Sequence, residues 1–159
     1  MRMQLIFPML VPGGMDMDGW TPGRRISTLY RRCQRHLDRR FEAEGIPAGH
    51  GLYLYLVELS RGDGVTQVEL AQRLALDPAS VTRSLKRLEE QGWVERCPGE
   101  DGRQRRVSLA PGGREILPRI REILKEWDDL AARGLTREEK TALEALLGRM
   151  ATNLEEGFG

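Results

Sequence analysis

Two cysteines and two histidines in 159 residues exclude several kinds of chemistry. Cys33 and Cys97 are too few for a disulfide framework and stand in no C-x-x-C pattern, which fits a reducing cytoplasm. His36 and His50 belong to no recognisable triad or metal motif, so neither a metal nor a cofactor is expected. Ser80, Thr82 and Ser84 have no neighbouring histidine, and an enzyme has no support in the sequence. No run approaches the roughly 20 apolar residues that span a bilayer. The apolar start, Met1 to Val11, is broken by Pro8 and Pro12, carries one early arginine and lacks a small-residue cleavage pattern, so a cytoplasmic protein without a membrane partner is expected. Internal repeats and low-complexity tracts are missing too. Net charge is only +1, so global charge does not announce a nucleic-acid binder.

What the chain does have is charge in the right places and helical periodicity. Hydrophobic residues make up 40% and charged residues 31%, which suits a helical protein with large solvated faces. From Val81 to Val107 the cations are Arg83, Lys86, Arg87, Arg96, Arg103, Arg105 and Arg106, set against Glu89, Glu90, Glu95, Glu100 and Asp101. From Gly134 onward the chain is acidic. A basic working surface on a neutral-to-acidic body is the implied layout.

Residues 1–21 hold five methionines and the Gly13-Gly14 pair, and read as a mobile N-terminal extension; the other reading packs Leu5, Ile6, Phe7 and Leu10 on a partner subunit. Ile26, Leu29, Tyr30, Cys33, Leu37 and Phe41 form one stripe of a helix from about Pro22 to Glu44, stopped by Gly45. A deeply buried second helix is predicted from Pro47 to Ser60, followed by a turn over residues 61–64. Thr66-Gln67-Val68-Glu69 has the form of a capping box for a short helix ending by Leu76. Asp77-Pro78 then caps and starts a third helix that buries Val81, Leu85 and Leu88 and ends at Gly92. Two strands, Trp93 to Cys97 and Gln104 to Leu109, flank a turn-rich tip. A long apolar stripe from Ile116 to Leu130 contains Pro118, which is harmless in a first turn and otherwise a kink. Thr136 and Glu139 begin a last helix with Leu143, Leu146, Leu147, Met150 and Leu154 on its apolar face.

A short helix, a tight turn and a second helix form the geometry that places one helix in a major groove. Ser80, Thr82 and Arg83, at the leading end of the Pro78 helix, are small or cationic groups able to reach base edges or phosphates. Lys86 and Arg87 lie one turn on and suit backbone phosphates. The same residues also fit a merely capped, polar-faced surface helix. The hairpin favours the first reading, because Arg103, Arg105 and Arg106 follow its tight turn and can carry a guanidinium into a narrow minor groove.

The runs Val65 to Leu74, Asp77 to Glu90 and Gln91 to Arg96, with Asp101-Gly102-Arg103 as a D-x-R wing motif, resemble the DNA-binding core of the MarR family. The likeness covers roughly residues 24–156; its specificity lies in L-E-x-x-G-x-V-x-R, Leu88 to Arg96, combined with D-x-R. It implies a mainly α fold: a winged helix-turn-helix at 47–112 flanked by N- and C-terminal dimerisation helices at 22–46 and 113–156. By position, Ser80, Thr82 and Arg83 resemble base-proximal residues, Arg103 the minor-groove arginine, and Asp101 the acid that orients the wing by pairing with a nearby arginine. Where the family usually has Leu-Thr before its fifth helix, this chain has Leu109-Ala110-Pro111, so that helix is expected to start later, near Gly113.

The implied activity is sequence-specific binding of a homodimer to a pseudo-palindromic operator in double-stranded DNA, as a repressor released by a small aromatic acid. Tyr30, His50 and Tyr53 are the candidate lining residues for that ligand; Tyr30 and Tyr53 equally fit core aromatics, and His50 a partly exposed helix start. Two alternatives stand beside it: a winged-helix protein-interaction module without DNA binding, and a cysteine-based redox regulator. Against the latter, peroxide-responsive relatives carry their cysteine where this chain has Arg24, and Cys33 lies on an apolar stripe.

Overall fold

The computed structural model describes residues 21–62, 64–99 and 105–157. Its elements are α1 (Pro22–Ala43), α2 (Leu52–Leu59), β1 (Val65–Thr66), α3 (Gln67–Arg73), α4 (Pro78–Glu90), β2 (Val94–Pro98), β3 (Arg105–Leu109), α5 (Pro111–Ala131) and α6 (Arg137–Gly157). This is the mainly helical architecture with a small wing that the resemblance implies. The proposed extension before Thr21, Asp101, Arg103 and Gln104 lie outside the described residues.

Local chemistry sets most boundaries. Thr21 accepts the Arg24 N–H at 3.2 Å and Pro22 follows at the first helical position. Thr66 and Glu69 close a reciprocal capping box, the Thr66 N–H donating to Glu69 Oε2 at 2.7 Å. Asp77 caps α4 by accepting the Ser80 N–H at 2.8 Å. The same device opens α6, where the Thr136 N–H donates to Glu139 Oε2 at 2.8 Å and Thr136 Oγ1 accepts the Glu139 N–H at 3.2 Å.

Three boundaries differ from the sequence expectation, and the expected strand start at Gln104 lies outside the described residues. The second helix starts at Leu52 rather than Pro47, because His50 (φ 55°) and Gly51 (φ 79°) are left-handed and break any helix running through them. The strands are Val94–Pro98 and Arg105–Leu109, joined by an unexpected β1 in the order β1-β3-β2, all antiparallel, with Val65 opposite Val107 and Val94 opposite Leu109. The fifth helix starts at Pro111, two residues before Gly113: proline needs no N–H at a first helical position, and the Arg114 N–H reaches Ala110 O at 3.1 Å. Pro118 therefore sits inside α5 rather than in its first turn.

The core joins the C-terminal half of α1 (Leu37, Phe41) to α2 (Leu52, Leu56, Leu59), α3 (Leu70), α4 (Val81, Leu85, Leu88), the strands (Val94, Val107, Leu109) and α5 (Leu117, Ile120, Ile123). No polar or charged residue is buried among the described residues. Outside the core, α1 and α5 are bound by ion pairs: Arg119 Nε donates to Glu44 Oε2 at 2.6 Å, and Arg40 Nη2 to Glu126 Oε2 at 2.6 Å. The Arg119 guanidinium holds the Glu44 carboxyl below its ordinary range.

Gly112 and Gly113 seat the start of α5 directly on the chain that leaves α4. A Cβ at Gly113 would lie 2.1 Å from Trp93 O, and one at Gly112 would lie 2.8 Å from Gly92 O. Ala110 N–H also donates to Trp93 O, at 3.0 Å. Only residues without a Cβ permit so close a backbone approach.

One helix is left without a home. Among the described residues α6 has none that is buried, and Leu146 and Leu154 are 55% and 62% exposed. Across a groove from it, Ile26 and Leu29 of α1 are exposed as well.

Candidate nucleic-acid interface

Helices α3 and α4 pack as a helix-turn-helix, with Ala75 (φ 51°) taking the left-handed turn position between them. Because Val81, Leu85 and Leu88 face the core, the opposite side of α4 is outward: Thr82, Arg83, Lys86 and Arg87 are exposed and Ser80 is half-buried. The five candidate residues on this helix therefore share one solvent face.

Their hydrogen bonds divide them into readers and supports. Ser80 donates its N–H to Asp77 Oδ1 at 2.8 Å, and the nearby Ser80 hydroxyl together with that N–H holds the Asp77 carboxyl below its usual range. Arg83 Nη2 donates to Ser80 Oγ at 2.9 Å. Asp77, Ser80 and Arg83 thus form a short chain that aims one guanidinium from the leading turn. Thr82 donates its hydroxyl to Pro78 O at 2.9 Å and accepts from Gln67 Nε2 of α3. Lys86 Nζ lies 3.9 Å from Glu90 Oε1, a loose exposed pair.

On the wing, Arg105 is exposed at the first position of β3, opposite Pro98. Two other cations of the basic segment serve the fold. Arg96 pairs with Glu89 at 3.0 Å, and Arg106 Nη1 donates to Gly64 O at 2.6 Å, pinning β3 beside β1. Arg105, Arg106 and Arg96 also border an open cleft with Thr66, Gln67 and Val68, so the wing base and the start of α3 are neighbours. Gln67 is the residue that sequence reasoning passed over: it was visible only as a spacer in the capping box, and its partner is fifteen residues away.

The ligand candidates are placed apart. Tyr53 is 5% exposed, its hydroxyl accepts from Gln34 Nε2 at 3.2 Å, its ring centroid is 5.6 Å from that of Phe41, and burial pushes its pKa up to about 12. Tyr30 is 59% exposed on α1. His50 accepts no burial either; its N–H donates to Asp38 Oδ1 at 2.7 Å, and it borders a cleft of about 420 Å³ with Phe41, Ile46, Pro47 and Arg87. The half-buried Cys33 thiol is pushed up, by burial first and by Asp128 second, the opposite of what a reactive thiolate needs. Cys97 is exposed on β2.

The two caps of the helix-turn-helix give a pH prediction. The Glu69 carboxyl is also held low, by the Thr66 N–H and then the Thr66 hydroxyl. A carboxyl depressed in the folded state stabilises fully above its unfolded pKa, about 4, and stops doing so as pH falls through the folded value. The melting temperature of the parent should therefore exceed that of Asp77→Asn at pH 7, and in circular-dichroism melts the gap should begin to close below about pH 4 and vanish once pH falls through the lower folded value.

No helix among the described residues is long and apolar enough to cross a membrane. A model of the MarR family matches residues 53–106. The multiple antibiotic resistance protein MarR of Escherichia coli (strain K12) is 35% identical over 130 residues, covering 80% of this chain and 89% of that protein. The crystal structure of the transcriptional regulator SlyA superposes with a TM-score of 0.79 at 27% identity, covering 84% of this chain and 94% of that one. A mutant MarR from E. coli complexed with operator DNA gives a TM-score of 0.72 at 28% identity, covering 80% and 91%. With a helix-turn-helix, a β wing and this likeness over most of its length, the chain belongs to the MarR family of winged helix-turn-helix, DNA-binding transcriptional regulators, whose members bind DNA as dimers.

Proposed function

We propose that the chain works in the cytoplasm as a homodimer on a pseudo-palindromic operator and represses transcription until a small aromatic acid releases it. The observation that carries this reading is the outward face of α4, with Arg83 aimed from its leading turn by Ser80 and Asp77. Support for two-fold symmetry comes from the apolar face that a single copy leaves uncovered on α6 and the start of α1. A dimer built there presents two reading helices, and half-site centres about one helical turn apart are expected.

Release by an acid is supported by the cleft beside His50. Its volume of about 420 Å³ suits a small ligand, and Ile46 and Pro47 supply apolar wall. Arg87 borders the same cleft and faces outward from α4, so a carboxylate paired with it would compete with a DNA phosphate for one guanidinium. Neither Tyr30 nor Tyr53 borders this cleft, so of the three ligand candidates this reading uses His50.

Selection of duplexes from a random pool by the purified protein, repeated with benzoate-type acids, tests all of this. Enrichment of an inverted repeat, affinity that falls steeply with salt, and loss of enrichment with the acid are the expected results. Arg83→Ala should weaken binding to the selected duplex by about 1–3 kcal/mol in gel-shift titration, and Arg103→Ala by a similar amount, with the dimer still folded. Failure to enrich any duplex at low salt would favour the protein-interaction reading instead.

A further inference from the structure

The Thr82 hydroxyl has one hydrogen, and Pro78 O, 2.9 Å away, can only accept it. Gln67 must therefore be the donor in its bond to Thr82, which fixes its carboxamide with the nitrogen toward α4. Thr82 is exposed on the reading face, yet its hydroxyl has nothing left to donate to thymine O4, guanine O6 or a purine N7. What is left for a base edge is one acceptor lone pair, fit for adenine N6 or cytosine N4, and the methyl group, which suits the C5 methyl of thymine.

We propose that Gln67 is a positioning residue for DNA specificity: by donating to Thr82 Oγ1 from α3, while Pro78 O takes the hydroxyl's hydrogen, it holds Thr82 in the rotamer from which its methyl group reads thymine. This rests on the operator reading above and deepens it. Arg83, held by Ser80, remains the cationic donor of the same turn, so one helix face combines a hydrogen-bonding reader with an apolar one. Of the two hydroxyls beside it, that of Ser80 accepts from Arg83 and that of Thr82 donates to Pro78 O.

The test uses the duplex selected by the full-length protein, with each thymine replaced in turn by deoxyuridine, which removes only the methyl group. The parent should lose about fourfold in affinity, the factor for one buried methyl, at one thymine in each half-site. Thr82→Val keeps the methyl and should keep that penalty. Thr82→Ser should abolish it while leaving the other positions unchanged. Gln67→Met, close in shape but unable to donate, should loosen the Thr82 rotamer and shrink the penalty with the melting temperature preserved. A parent indifferent to deoxyuridine at every thymine overturns the proposal, as does a Thr82→Val protein that has lost the preference. Recovery of no duplex at all would instead overturn the operator reading beneath it.

Discussion

Leu147→Glu should convert the protein to a folded monomer that no longer holds its operator. Leu147 is 42% exposed in the single chain and stands with Leu143, Leu146 and Met150 along the groove that faces Ile26 and Leu29. A carboxylate there costs a lone chain almost nothing, since α6 contributes no buried residue to the core. In a dimer that covers this stripe the same carboxylate would be desolvated without a partner, at a cost of several kcal/mol. Dimer dissociation should rise on the order of 100-fold or more, the equivalent of about 3 kcal/mol. Light scattering during gel filtration reads the mass, circular dichroism the retained helix, and gel shift the loss of binding. A Leu147→Glu protein that remains dimeric and binds as the parent does would show that this face is not where two copies meet.

The second large effect belongs to Gly113. Its absent Cβ would stand 2.1 Å from Trp93 O and 3.0 Å from the Trp93 carbonyl carbon, both backbone atoms that no rotamer change can move. Gly113→Ala must therefore lift the start of α5 off the Gly92–Trp93 turn and strain the bond from Ala110 to Trp93. Overpacking of this kind costs about 1–3 kcal/mol, and the upper end is expected here. For a chain of this size each kcal/mol lowers the melting temperature by about 2–4 °C at fixed protein concentration. Gly148→Ala is the control: a Cβ there meets nothing within 4 Å, and the helix interior gains about 0.8–1 kcal/mol from the better helix former. Opposite signs for the two replacements are the expected result. Equal stability of Gly113→Ala and the parent would mean that α5 is not seated on that turn.

The same junction explains a misjudged boundary. Loss of the usual threonine before α5 suggested a later start, yet Pro111 and two glycines replace a side-chain cap with close backbone packing. Spacing alone cannot distinguish a missing cap from a glycine pair pressed against another segment. The left-handed pair His50 and Gly51, which delays α2, and the two-residue β1 escaped notice for a similar reason: both depend on where the chain must go next, not on local preference.

Amphipathic period, capping boxes and proline placement are local properties, so the sequence by itself determined six helices, the helix-turn-helix and the outward face carrying Arg83, Lys86 and Arg87. It also supplied the family resemblance. Tertiary structure decided which polar groups on that face are spoken for. Gln67 meets Thr82 only because α3 and α4 cross, Arg106 is committed to Gly64 only because β3 lies beside β1, and Tyr53 is withdrawn into the core only because α1 covers it. A hydrogen bond between residues far apart in sequence leaves no period to read; it exists when folding brings donor to acceptor.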